Sequence, residues 1–397
     1  MTRVPELRFF GFDGEWVSKK LCNEFNVQMG QSPNSENYVN DSNYPPLIQG
    51  NADIENGKIK PRIFTTQLTK ISYPNDILMT VRAPVGDLAL NDKEVVIGRG
   101  VCSLSGNRFL YYDLENKKVN NYWKRFSSGS TFESINSSDI KESNIVMPSL
   151  EEQEKIGNLF SKIDQLIENQ EKLLDQSIAF KKSMVQKMFP KKDSLVPEFR
   201  FDGFDNVWQE KRLKELGESF NSLTGKTKDD FGHGNAQYVT YKNVYTNTIA
   251  REDKLEKVVL DLKQNMVKKG DIFFTTSSEV PEEVGLSSAW THDIDYVYLN
   301  SFSFGYRPLK SLNTYFLAYL FRSQSFRKTV VGLAQGSTRY NISKYAMLDI
   351  IVKIPTPEEQ EKIGNFFKNL DDKIAREEEL LDAYKMMKKS LLQKMFV

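Results

Sequence analysis

The side chains able to make or break bonds are few and scattered. Asp76 and the run Glu115-Asn116-Lys117 supply two carboxylates and a lysine, a set suited to metal-assisted hydrolysis of a phosphodiester. With 27% of the chain charged, such triplets arise by chance, and this reading carries little weight. His233 and His292 are the only histidines, Cys22 and Cys102 the only cysteines, and none stands at ligand spacing, so no structural zinc site is expected. No G-x-x-x-x-G-K-[ST] phosphate loop is present, and Gly98, Gly100 and Gly106 do not make a G-x-G-x-x-G turn. No catalytic residue and no metal ligand is assigned.

Binding is the better account of the reactive-looking residues. Arg82, Arg99, Lys124, Arg125 and Ser130 in the first half lie in turn-rich or polar stretches. Lys242, Asn243, Thr275, Ser277, Ser278, Arg339 and Tyr340 do so in the second. Cations suit phosphates, while hydroxyls and amides suit base edges, so these twelve are candidate nucleic-acid contacts. Singly, each is more often a solvated surface residue; the collective case is the stronger one. The charge balance pulls the other way. The net charge is +1, with 17 basic and 17 acidic residues in 1–150 and 21 and 19 in 196–355. A chain gripping nucleic acid mainly through its own phosphate contacts would be more basic.

The elements that must position these residues come in duplicate. Pro148–Phe189 and Pro355–Phe396 align without a gap at an offset of 207, identical at 23 of 42 positions. Each reads as one long helix, acidic at its start (Glu151, Glu152; Glu358, Glu359) and basic at its end (Lys187; Lys394), which suits the helix dipole. Apolar seams run through Ile156, Phe160, Ile163, Ile167 and Leu174 and through Ile363, Phe367, Leu370, Ile374 and Leu381. Each seam is the obvious partner of the other, in an antiparallel or bundled pair that would act as a spacer about 58 Å long at about 1.5 Å per residue. The opening stretch Val4–Leu21 recurs as Val196–Leu213, identical at 11 of 18 positions. In it Phe9, Phe12 and Trp16 (Phe201, Phe204 and Trp208) read as anchors onto a core, with Gly11 and Gly203 making a turn.

Between the repeats lie two unlike bodies of mixed α/β type. Ser72–Leu90 reads as strand, Pro-Val-Gly turn, strand, and Val95–Leu104 as a further strand. In the second body Val267–Trp290 takes the corresponding place, with Asp271 answering Asp76, and Gly270 standing where the first has Asn75. Asn313–Leu333 reads as a helix. The expected fold is two globular α/β domains and two long antiparallel helices in a pseudo-two-fold tandem duplication. The segments are 1–147, 148–190 (central helix), 191–354 (linker and second domain) and 355–397 (C-terminal helix). No apolar run approaches eighteen residues and no signal-peptide pattern precedes Val4, so a soluble cytoplasmic protein without membrane contact is expected.

The doubled VPE-x-RF-x-GF-x-x-x-W opening, the DIL-x-x-VRAPVG stretch, the Gly-Ser-Thr loops at 129–131 and 336–338 and the doubled EEQEKIGN helices resemble the specificity subunit of type I restriction–modification systems. The likeness covers essentially the whole chain. It implies a non-catalytic reader of double-stranded DNA in which each body is a target-recognition domain for one half of a split site. It also implies that the helices set the spacing and dock two modification (methyltransferase) subunits, which bring S-adenosylmethionine. Restriction subunits, using ATP and magnesium, would add translocation and cleavage, and this chain would bind no cofactor itself. The near-zero charge is tolerable if those partners supply much of the backbone grip. The alternative is a protein-interaction scaffold with two binding domains on a coiled-coil spacer.

Overall fold

The computed structural model describes residues 4–126, 134–336 and 338–397. The chain forms two compact units, Met1–Glu171 with Glu379–Val397, and Lys172–Glu378. The divisions fall inside the two long helices, Leu150–Lys187 and Pro357–Met395, so each unit holds one end of each helix.

In the first unit the strands Asn26–Met29, Val101–Ser105, Ile77–Thr80 and Leu88–Leu90 lie side by side in that order, all antiparallel. Lys58–Ile59 and Ile54–Glu55 extend this sheet, and a second, five-stranded sheet includes Val95–Ile97. The stretch Val95–Leu104, read above as one strand, is therefore two strands in different sheets. The chain turns at Gly98–Gly100 because the Gln49 backbone crosses there: a Cβ on Gly100 would sit 2.1 Å from the Gln49 carbonyl oxygen. The left-handed turn expected before Asp76 is present, with Asn75 at φ 76° and its counterpart Gly270 at φ 95°.

A helix over Arg108–Val119, unremarked in the sequence, is started by Asn107, whose side chain accepts from the Leu110 N–H. It buries Phe109 and Tyr112 against Ile156, Phe160 and Ile163 of the first long helix and Leu392, Met395 and Phe396 of the second. Trp16 closes the cluster, edge-on to Phe109 at 5.7 Å and to Phe396 at 6.5 Å. Each such fully buried aromatic contributes about 1.5–3 kcal/mol through area removed from water.

The second unit repeats this arrangement with a different body. Its strands Gly217–Phe220, Ser303–Pro308, Ile272–Thr275 and Ser287–Ala289 follow the same antiparallel order, beside a separate three-stranded sheet. Asn313–Leu333 is two helices, Thr314–Leu320 and Gln324–Leu333, because Ser323 caps the second by accepting from the Phe326 N–H. Phe316 and Tyr319 pack on Ile363, Phe367 and Leu370, while Met184, Met188 and Phe189 fill the places of Leu391, Met395 and Phe396. Trp208 meets Phe316 at 5.8 Å and Phe189 at 6.3 Å.

The seams therefore do not simply face each other. In each unit the leading part of one seam (Ile156, Phe160, Ile163; Ile363, Phe367, Leu370) is buried jointly by the body and by the last turns of the other long helix, antiparallel to it. Ile167 is partly buried in the first core and Leu174 half-buried, whereas Ile374 and Leu381 are buried. A body offers more apolar area to a helix than a second narrow stripe does, so the helix face turns towards it.

Polar fittings repeat as well. Tyr112 donates to Asp164 at 2.7 Å, and Tyr319 donates to Asp371, 207 positions on. Lys388 bridges Asp164 and Glu115, both at 2.7 Å, and its counterpart Lys181 holds Asp371 at 2.7 Å. Gln153 accepts from the Asn107 side chain at 2.8 Å, while Gln360 accepts from the Asn313 backbone N–H at 3.2 Å.

Candidate nucleic-acid interface

The hydrolytic triplet has its groups committed elsewhere. Asp76 accepts from Ser72, Ser103, Ser105 and the Tyr73 N–H, all at 2.9–3.0 Å. Burial raises the Glu115 carboxyl and the Lys388 ammonium opposes that shift, while Lys117 pairs with Asp113. Among the described residues no group of three His, Cys, Asp or Glu side chains is arranged to hold a metal.

In the first unit the binding candidates gather at one end of the central strands. The backbone of Arg82 bridges to Ser134, and the Val81 N–H donates to the Gly100 carbonyl at 2.9 Å, which sets Arg99 beside the same strand end. Arg99 is exposed, with its own N–H on Ser32 Oγ at 3.1 Å. The turn after Arg82 packs on buried Trp123: a Cβ on Gly86 would lie 2.8 Å from that ring. Trp123 thus fixes the exposed Lys124 and Arg125 beside this turn, and Arg125 lies 3.5 Å over the Tyr122 ring. Ser130 lies outside the described residues. Arg82, Arg99, Lys124 and Arg125 are exposed and make no ion pair among the described residues. Arginines such as Arg8, Arg62 and Arg200 are, by contrast, committed to carboxylates.

The second unit builds its counterpart at the equivalent strand end. Ser277 and Ser278 pair with Asn341 and Tyr340, and the turn before that pair presents exposed Arg339. The short helix Tyr241–Thr246 closes in, with the Tyr241 hydroxyl donating to the Ser277 carbonyl at 3.0 Å and its ring stacked 6.1 Å from Tyr245. Burial raises the Tyr241 pKa, Glu283 adds to this, and the nearby Arg339 opposes it. Lys242 is exposed and Tyr340 half-buried, and neither Lys242 nor Arg339 makes an ion pair among the described residues.

Three of the candidates face inwards. Thr275 is fully buried and donates to the Glu283 carbonyl at 3.3 Å. Ser278 donates to the Glu283 carboxylate at 2.8 Å, and its hydroxyl also accepts from the Val280 N–H at 3.2 Å. Asn243, 2% exposed, donates to the Arg251 carbonyl at 2.8 Å and accepts from the Arg251 N–H at 2.9 Å. These side chains shape the loops and have no edge free for a base.

Sequence reasoning passed over the residues that hold this surface. Arg322 donates to the carbonyls of Ser287, Val244, Tyr245 and Asn247, capping the short helix, and Arg327 donates to those of Glu282, Val284 and Gly285. Burial pushes both guanidinium pKa values down to about 10. Tyr245 and Glu283, joined by a hydrogen bond of 2.5 Å, were missed too. The four-residue spacing of Tyr241 and Tyr245 was the available signal.

Two surfaces whose exposed cations make no ion pair among the described residues, each on a copy of one frame, suit contact with a polyanion. The family model described as the type I restriction modification DNA specificity domain matches twice, over residues 13–176 and 206–384. The chain belongs to that family. It is 33% identical over 179 residues to the putative type I restriction enzyme MjaX specificity subunit of Methanocaldococcus jannaschii, a match covering 43% of this chain and 42% of that protein. The MjaIX specificity subunit of the same organism is 24% identical over 333 residues, covering 80% of this chain and 76% of that protein. The fold matches the crystal structure of the type I restriction–modification S subunit from M. genitalium, with a TM-score of 0.63 at 18% identity over 99% of both chains. A chain from a study of complex assembly and conformational transition of the type I system gives a TM-score of 0.57 at 16% identity, over 96% of this chain and 97% of that one. Among the described residues no helix is long and apolar enough to cross a membrane.

Proposed function

We propose that this chain is the non-catalytic DNA-recognition subunit of a type I restriction–modification complex, with each unit reading one half of a split target in double-stranded DNA. The observation that carries this reading is the pair of surfaces around Arg82/Arg99/Lys124/Arg125 and Lys242/Ser277/Arg339/Tyr340. Their cations lack carboxylate partners among the described residues, and they sit on equivalent strand ends of two duplicated frames. Unpaired cations beside hydroxyls and aromatic rings suit phosphate contact flanked by base-edge contact.

The long helices, which run from one unit into the other, set the gap between half-sites and dock two modification subunits. Leu166, Leu173 and Phe180 recur every seven residues on the first helix and stay 41–48% exposed, and Leu380 and Met387 do so at 40–42% on the second. Such stripes suit helices of a partner. In this scheme S-adenosylmethionine belongs to the modification subunits, and ATP and magnesium to a restriction subunit.

The test is to map methylated adenines genome-wide in cells with and without this chain, and again after replacing residues 214–354 with another body. A two-part asymmetric motif is expected, with one half altered by the replacement. An unchanged methylation map, or methylation by the purified chain alone, would overturn the reading.

A further inference from the structure

Phe302 stands beside the second reading surface with its side chain 58% exposed, yet its backbone is held tightly. Its N–H donates to Asn300 Oδ1 at 3.0 Å, and its carbonyl accepts from the Thr276 N–H at 3.0 Å and the Thr276 hydroxyl at 2.8 Å. Asn300 is in turn anchored to the Val239 carbonyl through its backbone N–H and its side-chain amide, each at 3.1 Å. Thr276 leads directly into Ser277 and Ser278, which pair with Asn341 and Tyr340 next to Arg339. An aromatic ring is thus raised on a fixed stem at the border of a polar, cationic surface.

The frame does not require that ring. In the first unit the same backbone position is Gly100, whose carbonyl accepts from Val81 as that of Phe302 does from Thr276. There the Gln49 backbone covers the place and leaves no room for a Cβ. In the second unit the place carries an exposed phenyl ring beside the reading surface. The one apolar group that a base pair shows in the major groove is the thymine 5-methyl.

We infer that Phe302 is a specificity-determining residue that packs against a thymine methyl in the half-site read by the second unit. This rests on the DNA-reading function proposed above. Arg339 and Lys242 supply the phosphate contacts that fix the surface, and the ring supplies an apolar term that only thymine satisfies.

The test uses the full chain assembled with its modification subunits and synthetic duplexes carrying the target. Each dT of the half-site assigned to the second unit is replaced in turn by dU, which lacks only the methyl. One replacement should weaken binding about fourfold, the worth of one buried methyl group. Phe302→Ala should lose about that much on the dT duplex and then bind dT and dU duplexes equally, while Phe302→Leu keeps part of the preference. Unchanged melting of both variants checks the fold, and the dT/dU comparison in the unaltered chain needs no variant at all. Insensitivity to dU at every position, a half-site without thymine, or retained discrimination in Phe302→Ala would each overturn the inference. A complex that binds no DNA specifically is a separate result: it removes the underlying function, and this inference with it.

Discussion

Arg200 grips Glu359 through Nε at 2.8 Å and Nη2 at 2.7 Å, and that glutamate side chain is only 1% exposed. Arg8 holds Glu152 in the same way at 2.7 and 2.8 Å, 192 positions earlier for the arginine and 207 for the glutamate. Both arginine pKa values are raised, first by the hydrogen bond to the glutamate. Each opening segment is thereby pinned to the first turn of a long helix. Removing one partner strands a buried charge, so Arg200→Met should lower the unfolding free energy by about 3–5 kcal/mol in denaturant titration. Arg200→Lys should recover only part, because a lysine lacks the two-pronged geometry. The double variant Arg200→Met with Glu359→Met should recover most of it, and a double variant as unstable as the single one would refute this account.

Gly364 sits where the second long helix passes the start of Thr314–Leu320. A Cβ there would meet Asn313 Oδ1 at 2.3 Å and the Phe316 backbone nitrogen at 3.1 Å. Alanine inside a helix is ordinarily favoured over glycine by up to about 1 kcal/mol. Here the collision with a capping side chain outweighs that gain, and Gly364→Ala should destabilise the second unit by about 1–3 kcal/mol. A higher melting temperature would show the approach to be looser than described.

Tyr112 gives a pH-dependent signature. Its pKa is raised from the ordinary 10.0, first by burial and then by the Asp164 carboxylate it donates to. Above pH 10 the unfolded chain has lost this proton and the folded chain keeps it, so stability must fall as pH climbs. Lys388 acts the same way. Burial opposes its charge, yet Glu115 and Asp164 raise its pKa overall, and its contribution is lost as pH rises through the folded value. Melting followed from pH 8 to 11 should show a downward alkaline limb. Tyr112→Phe should flatten that limb while costing about 1 kcal/mol near neutrality for the lost hydrogen bond. An identical limb in the variant would assign the effect to other groups.

Arg322 ties the carbonyls of Val244, Tyr245 and Asn247, at the end of the helix Tyr241–Thr246, and of Ser287, in the strand Ser287–Ala289, to the junction of the helices Thr314–Leu320 and Gln324–Leu333. Arg322→Ala leaves those carbonyls without a charged donor and should cost about 2–4 kcal/mol. In the assembled complex, methylation mapping should show discrimination weakened in the half-site of the second unit and retained in the other. Equal weakening of both halves would make the role one of general stability.

The frame was legible because it was written twice. Offsets of 192 and 207 locate Arg8 and Arg200, Glu152 and Glu359, and Asp164 and Asp371 from sequence alone. What repetition cannot reveal is which way a small polar side chain points. Thr275 and Ser278 lie in strands whose pairing turns their hydroxyls inwards, whereas Ser277, one residue away, stays half-exposed. The helix Arg108–Val119 escaped notice because it is buried on most of its circumference, with Phe109, Leu110, Tyr112, Asp113 and Leu114 all inside, so no clean amphipathic stripe marks it. The break at Ser323 falls in the polar run Arg322–Ser325, where Ser323 starts the second helix by accepting from the Phe326 N–H.

The asparagines that start the body helices, Asn107 and Asn313, each take a glutamine of the neighbouring long helix as acceptor, Gln153 and Gln360. A body therefore arrives with a standard plug, and each long helix carries the socket for it near its start. Genetic exchange that replaces only the interior, leaving plug and socket intact, would hand the complex a new address in one step.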